Sequence, residues 1–222
     1  LAPILFGCLA ACGQVIGTPP EPERALVVEA RQTPLSDVDV LFVVDDSSGM
    51  SAHQDTLARS VPSFISALEV KAGVLPDLHL GVISSDMGTK SVTAAPTRDV
   101  GGEGEGGCGG SGKDGRLLLD PELGVTGSFL TDVQLPDGTR QTNYGPSDPG
   151  AMLSTMIGIG GTGCGFEQPL HAMQRALENS ANTGFLRPDA VLAIVFVTDE
   201  DDCSIRDPAL FANDTSLDPL TS

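Results

Sequence analysis

Two short runs of apolar, largely β-branched residues constrain this chain most, because each one ends in a cluster of acids. Val38-Asp-Val-Leu-Phe-Val-Val44 runs into Asp45-Asp46-Ser47-Ser48-Gly49. Ala190-Val-Leu-Ala-Ile-Val-Phe-Val197 runs into Thr198-Asp199-Glu200-Asp201-Asp202. Runs of this kind are strands that feed polar loops. The second has no polar position, which predicts a strand buried on both faces, as in a parallel sheet. After the first run the period changes. Leu57, Val61, Phe64, Ile65 and Leu68 recur at helical spacing between Ser51 and Val70. Pro62 falls inside this helix and is expected to kink or restart it. Leu78-His-Leu-Gly-Val-Ile-Ser84 is a further strand. Strand, helix and strand make a right-handed βαβ unit, so the fold class is α/β with a mostly parallel sheet.

The rest of the chain is less periodic. Residues 86–115 form an insertion, and Gly101 to Gly115 holds nine Gly in fifteen residues, too few side chains to pack a core. Arg116-Leu-Leu-Leu119 reads as a short edge strand, and 120–148 as loop. Pro149 to Ile159 reads as a short helix. Gly160-Gly-Thr-Gly-Cys-Gly165 is a tight turn. A helix follows it, with Phe166, Leu170, Met173 and Leu177 as its apolar stripe and Pro169 tolerated in the first turn.

Charge excludes some functions. Lys and Arg number 12 against 30 Asp and Glu, a net charge of −18. Nucleic-acid binders carry the opposite balance. An anionic membrane surface would repel the chain as well. No apolar run approaches the length of about 18 residues that a membrane-spanning helix needs. Leu9-Ala-Ala-Cys12 resembles the lipobox of bacterial lipoproteins. That resemblance implies that residues 1–12 are the end of an export signal and that Cys12 carries the acyl groups. Gly13 after the Cys implies the outer membrane, and contact with the membrane through the lipid anchor only. Residues 13–37, with Thr18-Pro-Pro-Glu-Pro-Glu23, read as a Pro-rich tether, leaving 38–222 as the domain.

Three polar turns share one geometry. In an open α/β sheet, ligands bind beyond the carboxyl ends of the strands, where strand order switches. If the first and late strands are neighbours, Asp45, Ser47 and Asp199 meet there, beside Thr162 of the Gly-rich turn. Two carboxylates and two hydroxyls are hard ligands, suited to Mg²⁺ or Mn²⁺, or alternatively Ca²⁺, and unsuited to zinc. Asp45 and Ser47 are equally good N-cap residues for the helix that follows them.

Val43-Val-Asp-Asp-Ser-Ser-Gly-Met50 resembles the start of a von Willebrand factor type A domain, whose metal-ion-dependent adhesion site begins Asp-x-Ser-x-Ser and adds a Thr and an Asp from later loops. Asp39 to Asp45, Gly81-Val-Ile-Ser-Ser-Asp86, Gly163-Cys-Gly-Phe-Glu-Gln-Pro-Leu170 and Thr198-Asp-Glu-Asp-Asp-Cys203 resemble bacterial lipoproteins that carry this domain. The resemblance implies a Rossmann-like, doubly wound sheet with Asp45, Ser47, Thr162 and Asp199 as metal ligands. It implies a protein partner that presents an Asp or Glu to the metal, and no reaction. Two departures stand out. Gly49 falls where the second Ser belongs, with Ser48 one position early. The family's sheet continues with two more strand–helix units after the strand carrying Asp199, so the chain reads as a fragment whose C-terminal strands are missing. The alternative is a structural envelope scaffold whose metal site is degenerate.

The chain has five Cys. Cys8 lies in the signal and Cys12 at its end. If the loops of Thr162 and Asp199 share a metal, Cys164 and Cys203 are neighbours and form a disulfide, as expected in an oxidising compartment. Cys108 is then left over. Gly107-Cys-Gly-Gly-Ser-Gly-Lys113-Asp114 nearly matches a phosphate loop, but Asp stands where the hydroxyl belongs, and no apolar strand precedes it. No Gly-x-Ser-x-Gly elbow or Cys-x-x-Cys pair occurs, and no general base stands out.

Overall fold

The computed structural model describes residues 36–89, 108 and 111–205. The signal, Cys12, the tether up to residue 35 and most of the Gly-rich insertion lie outside the described residues. Eight regular elements follow in order: β1 (Asp37–Val44), α1 (Ser51–Ala72), β2 (Asp77–Ser84), β3 (Leu130–Gln134), β4 (Arg140–Thr142), α2 (Pro149–Ile157), α3 (Pro169–Glu178) and β5 (Val191–Val197).

The five strands form one sheet in the order β4-β3-β2-β1-β5. β1 pairs in parallel with β2 on one side and β5 on the other. β3 runs antiparallel to β2, and β4 antiparallel to β3. The class is therefore mixed α/β, with a mostly parallel sheet. β1 alternates between two cores. Val38, Val40, Phe42 and Val44 pack with Val61 and Ile65 of α1 and Met152, Leu153, Met156 and Ile157 of α2. Leu41 and Val43 face the other way, toward Ala172 and Ala176 of α3, Leu117 and Phe185. The chain leaves β1 for β2 on one flank and returns as β5 on the other, so strand order switches at the carboxyl end of β1.

Several expectations need correction. The helix is continuous through Pro62. Pro62 lacks the N–H that would bond the Ala58 carbonyl, and Ser154 Oγ of α2 reaches that oxygen at 2.8 Å instead. β5 is not buried on both faces: Val191 is 49% and Phe196 41% exposed, because β5 has a strand on one side only among the described residues. Arg116–Leu119 is not a regular strand, although the Leu118 N–H donates to the Val82 carbonyl. Within 120–148 lie β3 and β4, held by polar pairing. Arg140 Nε and Tyr144 Oη both donate to the Asp132 carboxylate.

The buried face of α3 is Ala172 and Ala176, with Met173 and Leu177 at its flanks, while Leu170 is half exposed. Small residues are needed there because the chain runs against the helix at Gly115. A Cβ on Gly115 would stand 2.7 Å from the Ala176 nitrogen and 2.8 Å from the Ala172 oxygen, and its φ is +60°. Asn182 locks this approach, donating to the Gly115 and Ala176 carbonyls and accepting from the Leu117 N–H. No described helix is long and apolar enough to cross a membrane.

Candidate functional site

The polar turns come together at the switch in strand order. The Asp45 N–H donates to the Val197 carbonyl, carrying the β1–β5 ladder into the two loops. Asp45 itself is fully buried. Its Oδ1 accepts from the Ser47 N–H at 2.8 Å, and its Oδ2 from Thr198 Oγ1 at 3.0 Å. It does not cap α1, whose N-cap is Met50 with no side-chain cap at all. Asp45 is thus held in a loop, with its carboxylate turned toward the β5 loop.

The Gly-rich turn closes against the same loop. The Gly163 N–H donates to the Asp46 carbonyl at 2.7 Å, and a Cβ on Gly161 would stand 3.3 Å from the Ser47 carbonyl oxygen. Gln54 of α1 fastens the two loops. Its Nε2 donates to the Asp45 and Gly160 carbonyls, and its Oε1 accepts the Gly160 N–H. Thr162, between these glycines, is exposed beside them. The third loop brings Asp199, whose Oδ2 lies 3.0 Å from where a Cβ on Gly49 would stand. All four expected residues therefore lie on three adjoining loops. Asp45 and Ser47 are buried, and Thr162 and Asp199 lie at the surface.

Three residues of this site were not among the expected ligands. Asp46 is fully buried and accepts Ser84 Oγ on Oδ1, while Lys113 Nζ pairs with its Oδ2. Lys113 belongs to the phosphate-loop near miss, and its role here is to face a buried carboxylate. Burial lowers the Lys113 pKa. Gly163 is required by the same carboxylate, because a Cβ there would overlap it.

The third is Glu167, three residues past Cys164. Its side chain is fully buried, and no N–H or hydroxyl donor among the described residues reaches either carboxyl oxygen. Burial, followed by the nearby charges of Asp45 and Glu200 and a side-chain hydrogen bond shared with Glu200, pushes its pKa up to about 7. The Cys203 N–H donates to the Glu167 carbonyl, which ties this residue to the β5 loop. Its position before Pro169, at the mouth of a helix, was the available cue.

The expected Cys164–Cys203 bridge is not formed. Cys164 pairs with Cys108, 56 residues away in sequence, and Cys203 is a free thiol. Cys203 is drawn to Glu167 by its backbone, whereas Cys108 and Cys164 lie fully buried together, packed by Phe166 and Ile205. The disulfide therefore joins the Gly-rich turn to the segment carrying Lys113.

A divalent cation fits the donor set in kind. Asp45 and Asp199 offer carboxylates, and Ser47 and Thr162 hydroxyls. Among the described residues no three of His, Cys, Asp and Glu are grouped closely enough to hold a metal by themselves, so hydroxyls and water would complete any shell. Comparison of the chain with family models, with curated proteins and with solved structures finds no match.

Proposed function

We propose that this chain is an exported, lipid-anchored envelope protein whose domain is von Willebrand A-like, with the Rossmann-like doubly wound arrangement that implies. It binds another protein through a divalent cation, Mg²⁺ or Mn²⁺, held by Asp45, Ser47, Thr162 and Asp199. The observation that carries the reading is the meeting of three loops distant in sequence at the end of β1, with Asp45 turned toward the β5 loop. When bound, the cation supplies a positive centre with a free coordination position, which a partner's Asp or Glu would fill. The ion reverses the local field, so a chain of net charge −18 can receive an acid there. Asp45 and Ser47 are pre-set for this by the hydrogen bond from the Ser47 N–H to Asp45 Oδ1 and by Gln54. No reaction is proposed.

One observation favours a second reading. Gly49 offers no ligand, and its Cα faces the Asp199 carboxylate. A scaffold with a degenerate site would look the same at this position. Calorimetric titration of Mg²⁺ and Mn²⁺ into the full chain, beside Asp199→Ala, separates the two. Binding that disappears in the variant supports the adhesion site. No binding in either protein leaves the scaffold.

A further inference from the structure

We infer that Asp202 and Ser204 are positioning residues of the cation site: they cap α3 from the β5 loop and so hold Asp199 in place. This rests on the cation-binding reading above and names residues outside its ligand set. The first N–H groups of a helix have no partner within it, and a side chain at the N-cap ordinarily takes one of them. α3 lacks that local cap, because its N-cap residue, Gln168, makes no side-chain cap bond. The Gln168 side chain is used elsewhere, its Nε2 donating to the Gly88 carbonyl. The partners of α3 come instead from residues 32 and 33 positions later. The Leu170 N–H donates to Asp202 Oδ1 at 3.0 Å, and the His171 N–H donates to Ser204 Oγ at 3.0 Å. Asp202 and Ser204 brace one another: Ser204 Oγ donates to Asp202 Oδ1 at 2.8 Å, and the Ser204 N–H donates to Asp202 Oδ2 at 3.2 Å. Between them, the Cys203 N–H donates to the Glu167 carbonyl at 2.9 Å.

The loop held in this way is crowded with like charge. Asp199, Glu200, Asp201 and Asp202 follow one another, all exposed, directly after Thr198, whose hydroxyl is bonded to the buried Asp45 carboxylate. Mutual repulsion favours their separation into solvent and away from Asp45. Asp199 is kept from this by an anchor on each side: Thr198 on Asp45 at 3.0 Å, and Asp202 on the first turn of α3. The negative charge of Asp202 is itself favoured at the positive end of the helix. Both Asp202 oxygens are engaged in these bonds, and its role is to place Asp199, three residues earlier. The coupling is reciprocal, so an ion that fixes Asp199 also tightens the cap on α3.

The test uses the full chain with Mn²⁺ alone as the probe, followed by calorimetry and by amide hydrogen exchange read by mass spectrometry. Asp202→Ala is expected to weaken Mn²⁺ binding about fivefold, the population shift that loss of one helix cap produces. Asp202→Asn keeps the acceptor and is expected to bind within about twofold of the parent, since Asn caps as well as Asp. Asp148→Ala removes the corresponding cap from α2, where Asp148 accepts the Ala151 N–H. That variant is expected to lose a similar amount of thermal stability and to keep its Mn²⁺ affinity, which separates positioning from stability alone. Mn²⁺ is expected to slow exchange at the Leu170 and His171 amides of the parent and to leave it unchanged in Asp202→Ala. Unchanged Mn²⁺ affinity in Asp202→Ala, with binding lost in Asp45→Asn, would overturn the positioning role and leave the cation site standing. An Asn variant as weak as the Ala variant would also overturn it, because lost charge and not a lost cap would then be the cause. Exchange at Leu170 and His171 that ignores the ion, or equal weakening in Asp148→Ala, would do the same. No Mn²⁺ binding by the parent would overturn both readings.

Discussion

Replacing Lys113 by Met removes the cation that faces a buried carboxylate. The Asp46 side chain is 1% exposed and that of Lys113 33% exposed. Breaking a fully buried pair from one side costs about 3–5 kcal/mol, because a charge is left uncompensated. Water reaches Lys113, so part of that cost is screened, and Asp46 keeps the Ser84 hydroxyl on its other oxygen. About 2–3 kcal/mol is the expected loss. With an m-value of about 2 kcal/mol/M in urea, the unfolding midpoint falls by roughly 1 M. The double variant Lys113→Met with Asp46→Asn removes the stranded charge and should recover at least about 1 kcal/mol of the loss. Urea unfolding of the parent, both single variants and the double variant measures the cycle. A loss below about 0.5 kcal/mol in Lys113→Met, or a double variant less stable than that single one, would refute the pairing as a buried charge balance.

Three further outcomes follow from the same contacts. Peptide mapping without reduction should recover Cys108 linked to Cys164 and Cys203 alkylated; the chain-entropy estimate for this 56-residue loop puts the loss on replacing both bridged Cys by Ser at about 4 kcal/mol. Glu167 makes stability depend on pH: its folded pKa of about 7 lies above the usual 4.5, so the folded state holds a proton that the unfolded state releases between those values. Stability should fall as pH rises through that window, level off above it, and lose this component in Glu167→Gln. Ser154→Ala should cost about 1 kcal/mol in urea unfolding, because the hydroxyl that the Ala58 carbonyl shares with the Gly150 carbonyl is lost.

The elements that sequence pattern reveals are those whose buried residues form an unbroken apolar run or a helical stripe. β1, α1 and β2 appear in the sequence close to their observed bounds for that reason. β5 is equally apolar, and its exposure follows from its place at the edge of the described sheet, which its own residues do not record. β3 and β4 were hidden because Asp132, Arg140 and Tyr144, all polar, hold them in place. The candidate site divides in the same way. Asp45 and Asp199 are legible because acids directly after apolar strands are a local pattern. Glu167, Asp46 and Lys113 become notable only when loops from distant parts of the chain pack against one another. The Cys108–Cys164 pairing is illegible for a related reason: Cys108 lies in a Gly-rich segment with no periodicity to say where it returns.

The central claim is that three loops at the carboxyl ends of β1 and β5 hold one divalent cation. Paramagnetic broadening by Mn²⁺ in the amide spectrum of the full chain tests it most directly. Broadening is expected to centre on residues 45–49, 160–168 and 198–203, to reach Gln54 and Ser84–Ser85 packed against them, to be reversed by a chelator and to be absent in Asp45→Asn. Broadening spread over the acidic surface, or none at those loops, would contradict it.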